Sequence, residues 1–317
     1  MTRVHVLGAS GYAAAEAIRI LQAHPFAELG TLESASHAGE SLADHFPSLR
    51  GSALAFDGPG SVLAAVTKGD AVIMGGSHGI AREQAPGLLA AGARVIDLSA
   101  DFRFDSSAVY GFPERYRDAI AGAQLVANPG CYPTASLLAL LPLVTFGSPR
   151  QLVIDAKSGI SGAGRNPTVG ALFSEVYGDV RAYGLNGHRH EPEIDRELRG
   201  AGIDAPLVFT PHVVPIARGM LVDAYAIFDR ELDADVVRAA YAAAYADRPM
   251  VRVLAADRAP SVTAVVGSNR AEVSVSVHGA TVRALCAIDN LGKGAAGQAI
   301  QNFNLMYGYP EECGLDG

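Results

Sequence analysis

The chain has 317 residues, 49% of them hydrophobic and 18% charged, and a formal net charge of −8. That length predicts two domains of ordinary size rather than one core, and the composition excludes a disordered chain. With 25 basic against 33 acidic residues and no basic tail, a nucleic-acid-binding surface is disfavoured. No apolar run approaches the roughly 20 residues of a membrane span, and residues 1–7 lack the apolar core and cleavage site of a signal peptide. Three cysteines, Cys131, Cys286 and Cys313, make an odd number. They point to a reduced, cytoplasmic protein.

Residues 3–7 read as a short apolar strand and 8–11 as a turn. Residues 12–23 read as a helix, stopped by His24-Pro25. Strands are predicted at 27–32, 71–74, 94–98 and 124–127, with a helical stretch at 81–91. This alternation predicts a parallel sheet with right-handed crossovers. After Asn128-Pro129-Gly130-Cys131 the character changes. Residues 134–145 read as a buried helix, and strands follow at 151–156, 207–210 and 220–228. Residues 272–278 alternate as Glu-Val-Ser-Val-Ser-Val-His, which suits a half-buried strand of antiparallel type. It is expected to pair with 281–288 across His278-Gly279-Ala280. Helices are predicted at 232–246 and near 294–306. The fold class is α/β, with a parallel sheet followed by a second domain of different texture.

Gly8-Ala9-Ser10-Gly11-Tyr12 joins the first strand to the first helix. Glycines there let backbone N–H groups approach a pyrophosphate, and the helix N-terminus favours its charge. The spacing is Gly-x-x-Gly-x-x-Ala rather than Gly-x-Gly-x-x-Gly; its position after a first strand makes it a dinucleotide loop. At the end of the second strand stands Glu33-Ser34-Ala35-Ser36-His37. Ser34 and Ser36 suit the 2′-phosphate of NADP, whereas Glu33 suits the free ribose of NAD if it points there. The residues leave that choice open.

Asn128-Pro129-Gly130-Cys131-Tyr132-Pro133-Thr134 forces a sharp turn with a helix immediately behind the cysteine. A thiol at a helix N-terminus has its thiolate stabilised by the macrodipole and by free N–H groups. Cys131 is therefore expected to be a nucleophile. Cys286, inside an apolar strand, and Cys313, in the tail, are expected to be inert. His188-Arg189-His190 offers two imidazoles, on one side if extended, for proton transfer near neutral pH. Arg103, Lys157, Arg165 and Arg218 stand in loops or at strand edges, where cations bind carboxylate and phosphate.

Several segments together resemble a known family. They are Gly8–Tyr12, residues 95–103, residues 128–134, residues 157–165, residues 187–194 and residues 289–299. On these the chain resembles the N-acetyl-gamma-glutamyl-phosphate reductases of the aspartate-semialdehyde-dehydrogenase-like superfamily. Ala14 departs from a frequent glycine, and Gly75-Gly76-Ser77-His78-Gly79 lacks a proline usual in that loop. The resemblance implies an NADP-binding Rossmann domain (1–130 with 291–317) and an α+β catalytic and oligomerisation domain (131–290) with a mixed or antiparallel sheet. It implies NADPH as donor and a thioester on Cys131, with the acid/base histidine in the His188/His190 pair. Cofactor contacts are expected at Gly8, Ala9, Ser10, Gly11, Tyr12, Ser34, Ser36, Ser161, Gly162 and Asn290. Substrate contacts are expected at Arg103, Asn128, Lys157, Arg165 and Arg218. No metal is expected. The implied reaction reduces N-acetyl-gamma-glutamyl phosphate to the 5-semialdehyde in arginine biosynthesis, in a homo-oligomer, dimer or tetramer. The alternatives are a reductase acting on a carrier-protein-linked aminoadipate or glutamate phosphate, and a non-catalytic NADP sensor.

Overall fold

The computed structural model describes residues 1–76, 79–166 and 168–315. Ser77 and His78, in the loop that lacks the proline, lie outside the described residues. Two compact units divide the chain: Met1–Pro129 with Ala295–Asp316, and Gly130–Gly294.

The first unit is built on β1 (Thr2–Leu7), β2 (Ala27–Glu33), β3 (Ala71–Met74), β4 (Arg94–Asp97), β5 (Val109–Tyr110) and β6 (Leu125–Ala127). They form a parallel sheet in the order β2-β1-β3-β4-β6-β5. Side chains alternate across a strand, so Val6 and Leu7 face opposite layers. Val6 packs with Ala14, Ile18 and Leu32, on the side of α1 (Tyr12–Gln22). That layer also takes in α2 (Leu42–His45) and Phe56. Leu7 packs with Val72 and Val95 under α3 (Ser61–Ala65) and α4 (Ile80–Ala90). A sheet covered on both faces explains the unbroken apolar run Ala71-Val72-Ile73-Met74. The strand order reverses at β1, between β2 and β3. The Gly8 turn leaves the sheet at that switch point, where open parallel sheets bind ligands.

Four of the elements named here are not legible in the sequence. α2 and α3 have only four and five residues, too short to show a helical period. β5 has two residues and shows no period. The helix α5 (Pro113–Ala121) is polar and breaks at Tyr116, whose φ −115 and ψ 22 are not helical.

The second unit opens with α6 (Cys131–Leu140). The buried helix predicted at 134–145 thus starts three residues earlier, at the cysteine itself. After Leu140 it tightens into a 3-10 turn, Leu141–Phe146, with Pro142 in its first turn. Then come β7 (Gln151–Gly159), α7 (Phe173–Val176), β8 (Arg181–Ala182), α8 (Glu191–Ala201), β9 (Leu207–Val214) and β10 (Met220–Ile227). They are followed by α9 (Ala234–Tyr245), β11 (Val251–Val253), α10 (Val262–Val265), β12 (Ala271–His278) and β13 (Thr281–Ile288). The sheet order is β11-β12-β13-β10-β7-β9-β8. It is mixed: β7 with β9 and β11 with β12 run parallel, the other neighbours antiparallel. The hairpin expected at 272–288 is present, with His278 opposite Thr281.

In β7, Leu152, Ile154, Ala156 and Ser158 are buried, and Val153, Asp155 and Lys157 alternate with them on the other face. In β10, Val222, Ala224 and Ala226 are buried in register with Ala156, Ile154 and Leu152. The helix α6 packs on β10 and β13 and is buried from Tyr132 to Leu140. The Tyr241 and Tyr245 hydroxyls of α9 donate to the Ala139 and Leu138 carbonyls at 2.5 and 2.6 Å. They satisfy carbonyls near the helix end that a buried helix would otherwise leave bare. After a π-helical turn, Gly292–Ala296, the last helix α11 (Gly297–Tyr307) belongs to the first unit.

Candidate active site

Cys131 is the first residue of α6, and Gly130 precedes it with φ −70 and ψ 159 and no side-chain cap. The turn is held from the protein side. Buried Glu193, in the first turn of α8, accepts the Gly130 N–H at 3.0 Å. Thr134 Oγ1 donates to the Gly130 carbonyl at 3.0 Å. The backbone at Gly294 backs directly onto the cysteine: a Cβ there would lie 2.8 Å from Cys131 Cβ. Cys131 is partly exposed, whereas Cys286 is fully buried in β13. The helix start therefore carries a reachable thiol, and the macrodipole favours its thiolate.

The thiol borders a cavity of about 460 Å³, lined also by Tyr132, Ser158, Gly162, Arg181, Tyr183, His188, Arg189 and His190. The His188-Arg189-His190 segment is not extended; it is a turn leading into α8. The turn still brings both imidazoles together, with ring centroids 4.9 Å apart. Tyr132 lies edge-on to both, at 5.7 and 5.8 Å. Burial, and then the charge of Arg189, hold the His188 pKa below its ordinary value. Its imidazole is thus neutral near pH 7 and able to accept a proton. His190 is buried at the N-cap position of α8, yet its side chain makes no cap bond. The Tyr183 hydroxyl donates to that of Tyr132 at 3.1 Å, and Tyr132 donates to the His212 carbonyl at 3.2 Å. Burial pushes both phenols up, so they act as neutral hydrogen-bonding groups.

The predicted anion ligands divide. Buried Arg103 donates from Nε to the Asn128 carbonyl at 3.0 Å and from Nη2 to the Leu98 carbonyl at 3.1 Å. Asn128 is likewise buried. It donates to the Ala295 carbonyl at 3.1 Å and accepts from Asn302 at 3.0 Å. Both residues brace the turn that leads to the cysteine. Lys157 lies on the face of β7 away from α6 and pairs with Asp155 at 2.9 Å. It is Ser158, one position on, that reaches the cavity. Arg218 pairs with fully buried Asp289 at 2.8 Å. Arg165 is half-buried in the loop after β7 and is not among the lining residues. The guanidinium groups that do line the cavity are Arg181 and Arg189. Arg181 is held by the Gly170 and Glu175 carbonyls at 2.6 and 3.0 Å. Arg189 stood in view between the two histidines. Arg181, Tyr132, Tyr183 and Glu193 carried no signal beyond their neighbourhood.

In the second unit Ser161, Gly162 and Asn290 come together. Asn290 Nδ2 donates to Ser161 Oγ at 2.9 Å, and its Oδ1 accepts the Gly219 N–H at 2.7 Å. A Cβ at Gly162 would meet Ser158 Oγ at 3.2 Å. In the first unit Gly8 has φ 72, and a Cβ there would lie 2.7 Å from the Gly76 nitrogen. Only glycine fits that crevice. Gly11 precedes α1 with no side-chain cap, and Ser34 Oγ donates to Ser10 Oγ at 3.2 Å. Tyr12 is the first residue of α1, Ala9 is buried, and Ser36 is exposed. Glu33 does not face this loop's edge. Its Oε2 accepts the Val62 N–H at 2.9 Å, at the start of α3.

A parallel nucleotide-type sheet and a mixed-sheet unit led by a helix-start cysteine define a class. Residues 3–123 match the family model described as semialdehyde dehydrogenase, NAD binding domain, and residues 131–290 the one described as semialdehyde dehydrogenase, dimerisation domain. The N-acetyl-gamma-glutamyl-phosphate reductase of Desulfotalea psychrophila is 42% identical, covering 100% of this chain and 98% of its own. That of Bordetella pertussis is 43% identical, over 99% and 96%. The chain belongs to the N-acetyl-gamma-glutamyl-phosphate reductase family of semialdehyde dehydrogenases. In fold it is similar to aspartate semialdehyde dehydrogenase II of Vibrio cholerae, with a TM-score of 0.77 at 20% identity over 96% and 98% of the two chains. A similar likeness holds to aspartate semialdehyde dehydrogenase with NADP from Candida albicans, with a TM-score of 0.72 at 17% identity over 97% and 98%.

Proposed function

We propose that the chain reduces N-acetyl-gamma-glutamyl phosphate to N-acetylglutamate 5-semialdehyde, releasing phosphate, with NADPH as donor. The observation that carries this reading is Cys131 at the start of α6, bordering a cavity that also presents two imidazoles and two guanidinium groups. The Cys131 thiolate attacks the acyl carbon, and the C–O bond to phosphate breaks to leave a thioester. Arg181 and Arg189 hold the phosphate and the α-carboxylate. Backbone N–H groups at the start of α6 stabilise the oxyanion, and the His188/His190 pair moves the protons. NADPH, when bound, supplies the hydride that reduces the thioester. Collapse of the Cys131 thiohemiacetal then frees the aldehyde and restores the thiol.

The first unit fits that cofactor. The Gly8–Gly11 turn and the uncapped start of α1 suit a pyrophosphate. Glu33 is turned to α3 and the buried Ser34 hydroxyl is given to Ser10, which leaves exposed Ser36 as the donor for a 2′-phosphate and supports NADP over NAD. We further propose a homo-oligomer, for which the description of the matching 131–290 family model speaks. A cytoplasmic location agrees with three free cysteines. No described helix is long and apolar enough to cross a membrane.

The test is the reverse reaction: phosphate- or arsenate-dependent oxidation of N-acetylglutamate semialdehyde with NADP. Wild-type turnover together with loss of turnover in Cys131→Ala supports the mechanism. Undiminished turnover in Cys131→Ala overturns it.

A further inference from the structure

Away from the cysteine, the first unit gathers three metal-ligating side chains on the segment that follows β2. His37 Nδ1 lies 3.0 Å from Glu40 Oε2, and His45 Nδ1 lies 3.6 Å from the same oxygen. The three ligand atoms are all within 4.8 Å of one another. Ligand atoms bound tetrahedrally at about 2.1 Å stand about 3.4 Å apart, and the two measured separations bracket that value. Both Nδ1 atoms thus converge on one carboxylate oxygen, His37 at hydrogen-bond distance, and an ion entering the cluster takes the place of the ring protons.

The scaffold holds this arrangement from both ends. Glu40 N–H donates to the His37 carbonyl at 3.0 Å, and Gly39 N–H donates to the Phe56 carbonyl at 2.8 Å. Phe56 N–H donates to the Glu40 carbonyl at 3.0 Å, and Leu42 N–H to the Leu54 carbonyl at 2.9 Å. The His45 ring stands edge-on to Phe46 and Phe56, with centroids at 4.7 and 5.1 Å. The His37 ring lies 4.2 Å from it. His45 is nearly buried, His37 is half-exposed and Glu40 is open to solvent. An ion therefore has an entry path on the Glu40 side and room for a water as fourth ligand.

We propose that His37, Glu40 and His45 form a binding site for a divalent transition ion of the zinc type. Two imidazoles and one carboxylate suit Zn²⁺, Co²⁺ or Ni²⁺. Mg²⁺ and Ca²⁺ favour oxygen-only shells and are not its ligands. A bound ion ties residue 37 to residue 45 and staples the segment between β2 and α3. Its occupancy adds a cross-link that the folded chain has and the unfolded chain lacks.

The experiment is calorimetric titration of the full chain with Zn²⁺ and, separately, Ni²⁺. Cys131 is first alkylated with iodoacetamide so that its thiolate takes no metal. The expected result is one equivalent bound and a rise in Tm of several degrees at saturation. Affinity should fall at least ~100-fold in His45→Ala and in His37→Ala, and at least ~10-fold in Glu40→Gln. Mg²⁺ should give no binding heat. His37→Ala removes a more exposed ring than His45→Ala, so a folded variant is available whichever tolerates substitution. No equivalent taken up by the alkylated wild type, or unchanged affinity in a folded His37→Ala, overturns the site.

Discussion

Two strand-to-helix turns in this molecule end in a glycine of nearly the same backbone: Gly11 at φ −81, ψ 161 and Gly130 at φ −70, ψ 159. Neither helix start receives a side-chain cap, so both present N–H groups and a positive dipole end. At the first, Gly8 is pressed against Gly75 and Gly76, and Tyr12, the first helical residue, brings no ionisable nucleophile of thiol type. At the second, a thiol stands at the first helical position, braced by Glu193 on the Gly130 N–H. The difference teaches that an uncapped helix start is a general seat for negative charge. The residue placed there decides whether that charge comes from a ligand or from the protein's own thiolate.

The sharpest way to break this comparison is Cys131→Ala. Turnover is expected to fall at least ~10⁴-fold, while NADP affinity measured by fluorescence titration stays within about twofold. The reciprocal change is Gly8→Ala, which meets backbone at 2.7 Å at a positive φ. A strain of roughly 1–3 kcal/mol is expected to weaken NADP binding tenfold or more. The rate of Cys131 alkylation by iodoacetamide should stay unchanged. If both turns lose function together in either variant, the two seats are not independent.

A smaller effect is expected from Glu193→Gln, which keeps an acceptor for the Gly130 N–H but removes its charge. Loss of charge assistance, about 1 kcal/mol, predicts a roughly fivefold drop in kcat with unchanged NADP affinity. The smallest is a pH shift. The His188 pKa lies below its ordinary value of 6.5 because of burial and then Arg189. The acid limb of kcat/KM is therefore expected below pH 6.5, and Arg189→Gln should move it upward, read from a full pH profile. The same sign holds for stability. Between the folded value and 6.5 the unfolded chain binds more protons, so stability rises with pH there and is lost as pH falls through that window.

Much of the fold was legible because the two hydrophobic periods are local properties. The apolar run 71–74 and the alternation of 272–278 predicted β3 and β12 within a residue or so. The helix behind the cysteine was expected but placed three residues late, since Pro133 and Thr134 masked a start at Cys131. α5 and β5 were illegible, one polar and broken at Tyr116, the other two residues long. In the candidate site, Cys131 is expected from turn chemistry and the histidine pair from the titration range of imidazole, and the structure brings all three to one cavity. Arg103 and Asn128 are expected as substrate contacts, and the structure shows Arg103 donating to the Asn128 and Leu98 carbonyls and Asn128 bonded to Ala295 and Asn302. In the sequence, a cation or an amide in a loop looks the same in a bracing role and in a binding role.

By itself the sequence determined where the chain turns, which strands alternate and which cysteine opens a helix, because φ preferences, side-chain period and helix-start chemistry act over a few residues. Only the tertiary structure decided that Ser158 rather than Lys157 faces the cavity, that Glu33 turns to α3, and that Arg181 joins Arg189 beside the thiol. Those outcomes depend on strand register and on which distant backbone groups need a partner, and neither is encoded within a local window.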